Sequence, residues 1–330
     1  MTAQWLIKLD ALIEGARRRD AIKIPVLKKI ARLVYYPIDL ILGLPKMWSI
    51  KYKMNHSHGS GLEPVKLAVV AIAKNESEYI AEWVAYHKAV GVERIFLFDN
   101  DSTDGMKNCI QQFINDGFVV YQQIHGACQQ FNAYCQGLWE YGRECKYMAF
   151  IDCDELLTPI KHGDNIVTIL DDLFAKYPKA GGVLVNWCMF GSSHCEKKPE
   201  GLLIDNFVYR AKIGKEGTNV TKSIVRPQYT LMWNHPHFPV YCLGNYGIDM
   251  TGKRNNGFWN EIDDYHLLKV NHYFTKSKEQ WIKRRSQGKA DLGADDKRTM
   301  AEFVAHDNND VLDESAKTYS NQVKEILNKK

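Results

Sequence analysis

Two aspartates separated by one residue directly follow an apolar run near the middle of the chain. The run covers residues 147–151 and predicts a buried strand, and Asp152, Asp154 and Glu155 come after it. Carboxylate oxygens at a strand end can bind a divalent cation that keeps open positions for phosphate oxygens. The carboxyl ends of strands are also where open α/β sheets bind ligands. The pattern favours a metal site for a nucleotide diphosphate; the alternative is a solvated acidic turn that closes the strand.

Polar residues also end the first two predicted strands of the same region. Asn75 and Glu76 follow the first strand, and Asp99 follows the second. Because the ends of parallel strands meet at one edge of a sheet, these side chains are candidates for contacts with a ribose and a base. Helix N-terminal placement of Glu76 and turn capping by Asp99 are the alternatives. The chain lacks G-x-G-x-x-G and G-x-x-x-x-G-K-[ST], which argues against a dinucleotide fingerprint and a P-loop.

Apolar runs and helical periodicities alternate along residues 65–187. This alternation predicts βαβ units and a mainly parallel sheet flanked by helices. The predicted strands are 65–73, 94–98, 118–121, one ending at Asp152, and 182–187, and the predicted helices are 80–90, 106–115, 128–141 and 166–176. The pattern is less regular beyond Trp187, where short strands are predicted at 207–213 and 222–225.

Both ends of the chain carry helical patterns outside this region. Residues 1–53 are basic with apolar residues at helical spacing, which fits peripheral attachment to anionic lipid. Docking of this segment on the protein's own core or on a partner subunit is the alternative. Near the other end, Ser277 and Gln280 have capping-box spacing, which predicts a helix. A terminal amphipathic helix is predicted from the spacing of Leu312, Ala316, Tyr319, Val323 and Ile326.

Composition limits the class of protein. The 330 residues are 45% hydrophobic and 25% charged, which is enough for a large folded domain and argues against global disorder. The net charge of +4 does not indicate nucleic-acid binding. The eight cysteines form no C-x-x-C pair, so a structural zinc site is not expected. Without a recognisable cleavable signal peptide, a cytoplasmic, peripherally membrane-associated protein is the simpler expectation.

Several separated motifs resemble those of GT-A glycosyltransferases. Residues 65–157 carry VAIAKNESEYIAEWVAYHKAVGVERIFLFDNDSTDG, QQFNAYCQGL and FIDCDELL, which are similar to the nucleotide-binding half of that fold. The wording of these motifs resembles the family-2-like and family-92-like (DUF23-type) branch. NWCMFGSSH, TKSIVRP and NHYFTKSKEQWIKRRSQGKAD resemble the same branch, so the similarity covers roughly residues 65–292.

The resemblance implies inverting transfer of a sugar from a nucleotide diphosphate donor, with a UDP-sugar favoured. By position, Mn²⁺ or Mg²⁺ on the diphosphate would be held by Asp152, Asp154 and His272. The nucleoside would be held by Asn75, Glu76 and Asp99, and Gln130 would help to place the donor. A basic cluster, from which at least one residue would neutralise the leaving diphosphate, comprises Lys276, Lys283, Arg284, Arg285 and Lys289.

Inversion requires a general base within hydrogen-bond reach of the acceptor hydroxyl. The sequence offers candidates for the base without deciding between them: His194, Glu196, Glu200, Asp205 and His237, with His235 as a further option. Trp187, Phe190 and Trp233 are candidates for stacking on sugar rings, and core packing is the alternative for each.

These observations predict an α/β chain of GT-A type with a basic amphipathic segment before it and a helix after it. The expected domains are residues 1–60, a catalytic domain at 61–292 with a nucleotide-sugar half (61–160) and an acceptor half (161–292), and an extension at 293–330. The expected acceptor is a glycan or lipid-linked glycan of polysaccharide biosynthesis at the membrane surface, and a homo-oligomer is compatible with the sequence. A nucleotidyltransferase and a non-catalytic glycan-binding scaffold are the alternative functions.

Overall fold

The computed structural model describes residues 45, 48–52, 54, 61–285 and 299–329. The chain divides into two units, Met1–Ser57 and His58–Lys330. In the first unit the described residues are helical, and most of the predicted basic segment 1–53 lies outside the described residues. Of the helices that the structure describes, none is both long enough and apolar enough to cross a bilayer.

The second unit alternates strands and helices as its sequence pattern predicts. The strands are β1 (Val65–Ala73), β2 (Arg94–Asp99), β3 (Val119–Gln123), β4 (Cys145–Phe150), β5 (Glu155–Pro159), β6 (Ala180–Met189), β7 (Tyr209–Arg210), β8 (Thr221–Val225), β9 (Thr230–Trp233), β10 (Pro239–Tyr241), β11 (Tyr246–Asp249), β12 (Leu268–His272) and β13 (Val311–Leu312). The helices are α1 (Ile80–Ala89), α2 (Met106–Cys109), α3 (Gln111–Asn115), α4 (Gln130–Tyr141), α5 (Ile166–Lys176), α6 (Leu203–Asn206), α7 (Lys278–Arg285), α8 (Met300–His306) and α9 (Ser320–Asn328).

A mixed sheet forms the centre of this unit, with the strand order β3-β2-β1-β4-β8-β6-β12-β5 and with β11 paired to β6. β1 is parallel to β2 and β4, and β2 is parallel to β3. β8 is antiparallel to both of its neighbours, β4 and β6. The carboxyl ends of β1, β2 and β4 therefore lie at the same sheet edge as the amino end of β8. The predicted GT-A sheet, flanked by helices, is confirmed.

Several elements differ from the pattern predicted from the sequence. β5 was not predicted, because its acidic start suggested a turn; it pairs antiparallel with β12, with Glu155 opposite His272. The predicted strand 207–213 shortens to β7, which pairs with β13. Leu312 lies in β13, so the predicted terminal helix begins only at Ser320. Pairing with distant strands decided these local conformations.

The terminal helix α9 packs against α1, with Val323 fully buried between them. Ahead of it, the Asp313 carboxylate accepts from Arg210 Nε at 2.8 Å and pairs with the ammonium of Lys269 on β12. Burial alone would raise the pKa of Asp313, but these cations hold it well below its usual range. The C-terminal residues therefore form part of the core of this unit.

Candidate active site

The acidic segment 152–155 connects β4 to β5 at the ligand-facing edge of the sheet. The indole N–H of Trp83 on α1 donates to the carbonyl oxygen of Glu155 at 2.7 Å and contacts that of Asp152 at 3.2 Å. The Glu155 carboxylate turns back and accepts from the backbone N–H of Asp152 at 2.9 Å. Burial raises the pKa of Glu155 to about 7, although the ammonium of Lys222 opposes this shift. The segment is a fixed, largely buried loop rather than a solvated turn.

Both carboxylate oxygens of Asp152 have protein partners. Oδ1 accepts from Gln130 Nε2 at 2.9 Å and from the Tyr134 hydroxyl at 3.0 Å. Oδ2 accepts from the ammonium of Lys222 at 2.7 Å. Lys222 comes from β8, and its side chain is 1% exposed and lies 3.6 Å from Glu155 Oε1. Burial alone would lower the pKa of Lys222, but the two carboxylates raise it above its usual value, so the ammonium stays charged.

Asp154 and His272 face each other across the β5–β12 pair. His272 Nε2 lies 3.6 Å from Asp154 Oδ1, and the backbone N–H of Tyr273 donates to the carbonyl oxygen of Asp154 at 2.9 Å. Burial alone would raise the pKa of Asp154, but His272 and Arg284 outweigh it and hold this pKa well below its usual range. Asp154 is therefore an anion at neutral pH.

Two cationic side chains from the segment after β12, Lys276 and Arg284, lie close to the carboxylates of Glu76, which follows β1, and of Asp154 in the acidic loop. The Arg284 guanidinium on α7 lies 3.3 Å from Asp154 Oδ2 and 3.6 Å from Glu76 Oε1. Lys276 Nζ lies 3.8 Å from Glu76 Oε2, and the Lys276 side chain is 3% exposed. Burial lowers the pKa of Lys276, an effect that Glu76 opposes. Ser277 and Gln280 form the predicted capping box. The backbone N–H of Ser277 donates to the Gln280 side-chain oxygen and that of Gln280 donates to the Ser277 hydroxyl, both at 3.3 Å, which orients the start of α7.

Asn75 and Asp99 shape the loop after β2. The Asn75 side-chain oxygen accepts from the backbone N–H of Thr103 at 2.8 Å. Asp99 accepts from the backbone N–H of Ser102 at 3.0 Å and from the hydroxyl of Tyr121. Asp99 therefore caps the turn, as the alternative interpretation of the sequence suggested, and it is the last residue of β2.

The five candidate bases are not brought together. His194, Glu196 and Glu200 are exposed, and the Glu196 carboxylate lies 3.0 Å from Lys278 Nζ on α7. The Asp205 carboxylate pairs with Lys324 Nζ of the terminal helix at 2.8 Å. Four of the five therefore lie on or near loops that contact α7 or the C-terminal segment.

His237 is the candidate base whose ring is linked through Trp187 to His272. Its ring centroid lies 5.0 Å from that of Trp187, which in turn lies 4.3 Å from that of His272. His237 Nδ1 lies 3.0 Å from the carbonyl oxygen of Thr221, next to Lys222. Burial lowers the pKa of His237 to about 2, and the charge of Lys222 adds to this effect. The imidazole is therefore neutral, the form that can accept a proton.

The aromatic candidates for sugar stacking separate by burial. Phe190 is fully buried and Trp233 is 1% exposed, so both pack in the core, as their alternative interpretation states. Trp187 is half-buried between His237 and His272. Exposed aromatic rings elsewhere in this unit include Phe131, Phe258 and Trp259.

The residues fit a cation held by two protein ligands. Among the described residues, no three His, Cys, Asp or Glu side chains group as a metal-ligand set. Two ligand atoms that share one cation at about 2.1 Å each lie about 3.0–3.4 Å apart, and the 3.6 Å between Asp154 Oδ1 and His272 Nε2 is close to this span. Asp152 differs from Asp154 because Lys222 lies 2.7 Å from its carboxylate, whereas Arg284 lies 3.3 Å from that of Asp154.

The most important residue that the sequence did not single out is Lys222. It lies within the apolar strand β8, where a lone lysine in Thr221–Val225 is the available clue to a buried charge partner. Tyr134 was likewise missed, because its hydroxyl reaches Asp152 only once α4 packs on the sheet. The side chain of Arg285 and the whole of Lys289, both predicted to contact the donor, lie outside the described residues.

Comparisons with known proteins identify a family. The model of glycosyltransferase family 92 matches residues 68–302. A glycosyltransferase family 92 protein of Oryza sativa subsp. japonica is 27% identical over 164 residues, which cover 49% of this chain and 27% of that protein. A family 92 protein of Ricinus communis is 25% identical over 175 residues, which cover 51% of this chain and 30% of that protein. The matched region spans less than a third of either relative.

Solved structures show weaker similarity. S. aureus TarS 1–349 in complex with UDP aligns with a TM-score of 0.34 at 14% identity, covering 49% of this chain and 47% of that chain. Glucosyl-3-phosphoglycerate synthase from Mycobacterium tuberculosis, in complex with Mn²⁺, UDP and glucosyl-3-phosphoglycerate, aligns with a TM-score of 0.27 at 14% identity, covering 43% and 48%. The family model matches well over half of the residues, and the chain therefore belongs to glycosyltransferase family 92.

Proposed function

We propose that this chain transfers a sugar from a nucleotide diphosphate sugar, with a UDP-sugar favoured, to a glycan acceptor. One observation carries the proposal. Asp154 and His272, 3.6 Å apart, lie beside Arg284 and Lys276 at the edge where β1 and β4 end. An anion–imidazole pair next to buried cations is suited to a metal-bound diphosphate. A family that transfers sugars supplies the reaction class.

Asp154 and His272 would hold the divalent cation. When bound, the cation would neutralise charge on the diphosphate as it leaves. A mixed carboxylate and imidazole pair suits Mn²⁺ better than Ca²⁺. Asp152 would support the site without binding the cation itself. Its carboxylate orients Gln130 and Tyr134 toward the site and is held by Lys222.

Arg284 and Lys276 would take up the remaining negative charge of the leaving diphosphate. Both lie in contact with Glu76, and Arg284 also contacts Asp154. These contacts are longer than close hydrogen bonds, at 3.3–3.8 Å, so the cations can shift to phosphate oxygens at small cost. Asn75, Glu76 and Asp99, at the ends of β1 and β2, would border the nucleoside.

His237 would act as the base for an inverting reaction. It is the candidate whose ring joins the metal pair, through Trp187. If Nδ1–H donates to the carbonyl oxygen of Thr221, Nε2 is left as the acceptor for the proton of the acceptor hydroxyl. Its low pKa makes it a weak base, so the proton would leave late, as the hydroxyl attacks the sugar carbon.

Residues 1–53 would bring the enzyme to anionic membranes, where lipid-linked glycans are found. The support is their basic, amphipathic sequence. Pelleting with phosphatidylglycerol vesicles at low and high salt tests this idea. The full chain should pellet with the vesicles at low salt and less so at high salt, and deletion of residues 1–53 should abolish this pelleting. If the deleted chain pellets as well as the full chain, residues 1–53 are not the membrane-binding segment.

Thermal unfolding with nucleotides tests the proposed donor site. A ligand that binds only the folded state stabilises it by about 2.7 kcal/mol at a hundredfold excess over Kd. We expect a higher melting temperature with UDP that depends on Mn²⁺, and a smaller or absent shift with GDP, ADP or CDP. No shift with any nucleotide diphosphate, with or without Mn²⁺, would contradict a nucleotide-sugar enzyme.

A further inference from the structure

We propose that the aromatic ring of Tyr79 positions the ammonium of Lys276 to bind the leaving diphosphate. This inference rests on the proposed transfer reaction and adds a positioning residue to its donor site. Tyr79 immediately precedes α1, and its side chain is 6% exposed. Lys276 Nζ lies over the Tyr79 ring, 4.7 Å from its centroid. An ammonium within about 6 Å of a ring centroid is attracted by the negative face of the ring.

The ammonium of Lys276 is largely buried, yet it has no close anion. Its nearest carboxylate oxygen in the described part of the chain is Glu76 Oε2, at 3.8 Å, which is beyond hydrogen-bond distance. The buried ammonium of Lys222 differs, because it lies 2.7 Å from Asp152 Oδ2. The charge of Lys276 is therefore still available to a phosphate oxygen, and an aromatic ring can hold this ammonium in place without neutralising it.

The backbone of Lys276 is held in an uncommon conformation. Its φ of 51° lies in the left-handed region, which residues other than glycine seldom adopt. The capping box of Ser277 and Gln280 fixes the chain directly after it. A conformation of this kind persists where the surrounding structure enforces it, and such positions cluster at ligand-binding sites. The chain therefore accepts local strain where it presents this lysine.

Gln280 also fixes the ring of Tyr79. Its side-chain N–H groups donate to the Tyr79 hydroxyl at 2.7 Å and to Glu78 Oε2 at 2.9 Å. The same side chain thus caps α7, the helix that carries Arg284, and holds the ring that contacts Lys276. The two cations proposed to bind the diphosphate are therefore linked through one glutamine.

A second ammonium contacts the Tyr79 ring, but a carboxylate already compensates its charge. Lys198 Nζ lies 5.2 Å from the ring centroid and 2.8 Å from Glu78 Oε1, and its side chain is 41% exposed. Ion pairs exposed to this extent contribute little. Of the two lysines, Lys276 is the one whose position depends on the ring.

A double-mutant cycle tests whether the ring acts through Lys276. Isothermal titration with UDP in the presence of Mn²⁺ gives the Kd of the full-length wild type, Tyr79→Leu, Lys276→Met and the double variant. Tyr79→Phe keeps the ring and removes the hydroxyl. Tyr246→Leu is the matched control, because the Tyr246 ring also carries a cation, the Arg254 guanidinium at 4.5 Å, and lies at the start of β11.

A further variant separates the charge distribution of the ring from its shape. Replacement of Tyr79 by pentafluorophenylalanine preserves the shape of the Tyr79→Phe side chain and reverses the sign of charge on the ring face. Because the attraction for a cation comes from the negative face of the ring, the comparison of these two variants isolates that attraction. It also provides a test in which the packing around residue 79 is retained.

We expect Tyr79→Leu and the pentafluorophenylalanine variant to bind UDP about fivefold to thirtyfold more weakly than the wild type. Tyr79→Phe and Tyr246→Leu should stay within about threefold of the wild type, since each leaves the ring over Lys276 in place. In the Lys276→Met background, Tyr79→Leu should cause no further loss, because two residues that act as a unit are not additive.

Equal weakening by Tyr79→Leu in the wild-type and Lys276→Met backgrounds would overturn the proposal, since the ring would then act independently of the lysine. Equal Kd values for the Tyr79→Phe and pentafluorophenylalanine variants would overturn it as well. A wild type that binds no UDP in the presence of Mn²⁺ would instead count against the proposed function, and the role of Tyr79 would fall with it.

Discussion

The ammonium of Lys222 lies 2.7 Å from Asp152 Oδ2 in a part of the sheet where the lysine side chain is 1% exposed. A charge buried to this extent is stable because carboxylates compensate it, and here Asp152 and Glu155 both do so. The first carboxylate of the Asp-x-Asp pair is thereby given a counter-charge from the protein. The second, Asp154, keeps Arg284 and His272 as its neighbours.

Lys222→Met should destabilise the protein by about 3–5 kcal/mol, because it leaves the buried Glu155 carboxylate and the partly exposed Asp152 carboxylate without their cation. The measurement is the free energy of unfolding from urea denaturation. Lys215→Met, a change of the same kind at an exposed lysine, should stay within about 0.5 kcal/mol of the wild type. A Lys222→Met protein as stable as the Lys215→Met control would mean that the ion pair contributes little.

Asp154→Asn should abolish the part of UDP binding that depends on Mn²⁺, because it removes the anionic ligand of the pair with His272. Isothermal titration of the protein with UDP, with Mn²⁺ and then with EDTA, measures this part directly. Asp263→Asn is the matched control, since the Asp263 side chain is 97% exposed. Retention of Mn²⁺-dependent UDP binding in Asp154→Asn would remove Asp154 from the metal site.

Arg284→Gln should raise the KM for the nucleotide sugar about tenfold to a hundredfold, which corresponds to the 1.5–3 kcal/mol of a hydrogen bond to a charged group. The reason is that its guanidinium faces Asp154 and Glu76 at the proposed diphosphate position. Arg143→Gln, the same substitution at an exposed arginine that precedes β4, is the control. Equal KM values for the two variants would assign the diphosphate contact to another cation.

Glu82→Gln should change how stability depends on pH. Burial raises the pKa of Glu82 to about 7, although the backbone N–H groups of Ile204 and Leu203 oppose this. The folded protein then holds a proton that the unfolded chain releases near pH 4.5, so stability falls as the pH rises from about 4.5 to 7. Glu82→Gln removes this ionisable group, so the free energy of unfolding should decrease less over this pH range. The difference should be at most about 3 kcal/mol, at 1.36 kcal/mol per pKa unit.

Urea denaturation at pH 5 and pH 7 compares the two proteins. The loss between these values should be smaller for Glu82→Gln than for the wild type. Asp172→Asn, at another acidic residue of a helix in the same unit, provides the control, because its side chain is exposed. An identical loss in the wild type and Glu82→Gln would place the pKa of Glu82 near that of a free carboxyl.

The positions of the residues proposed to bind the donor were largely predictable, because they follow strand ends that hydrophobic patterning identifies. Val65–Ala73 was predicted to the residue, and Asp152 and Asp154 were placed correctly after β4. Asp99 was identified as well, together with its capping role. Because the carboxyl ends of neighbouring parallel strands always lie at the same sheet edge, identifying the strands from their local pattern was sufficient to place these residues together.

The surroundings of Lys222 and Phe258 were less predictable, because their geometry comes from long-range pairing. Lys222 reaches Asp152 only because β8 inserts antiparallel between β4 and β6. Phe258 reaches the same edge because its carbonyl oxygen accepts from both the backbone N–H and the hydroxyl of Thr221, across 37 residues. Nothing in the local pattern around Phe190 or Trp233 distinguishes a sugar-stacking ring from a core ring, and burial decided against both.

The C-terminal segment has a consequence for synthesis on the ribosome. β13 pairs with β7, Asp313 joins Lys269 of β12, and α9 covers α1, the first helix of the sheet unit. A nascent chain emerges N-terminus first, and domains fold as units. The surface of α1 that receives Val323 must therefore stay uncovered while residues 311–328 are still inside the exit tunnel. Chaperones that recognise exposed apolar helices can bind the chain in that interval.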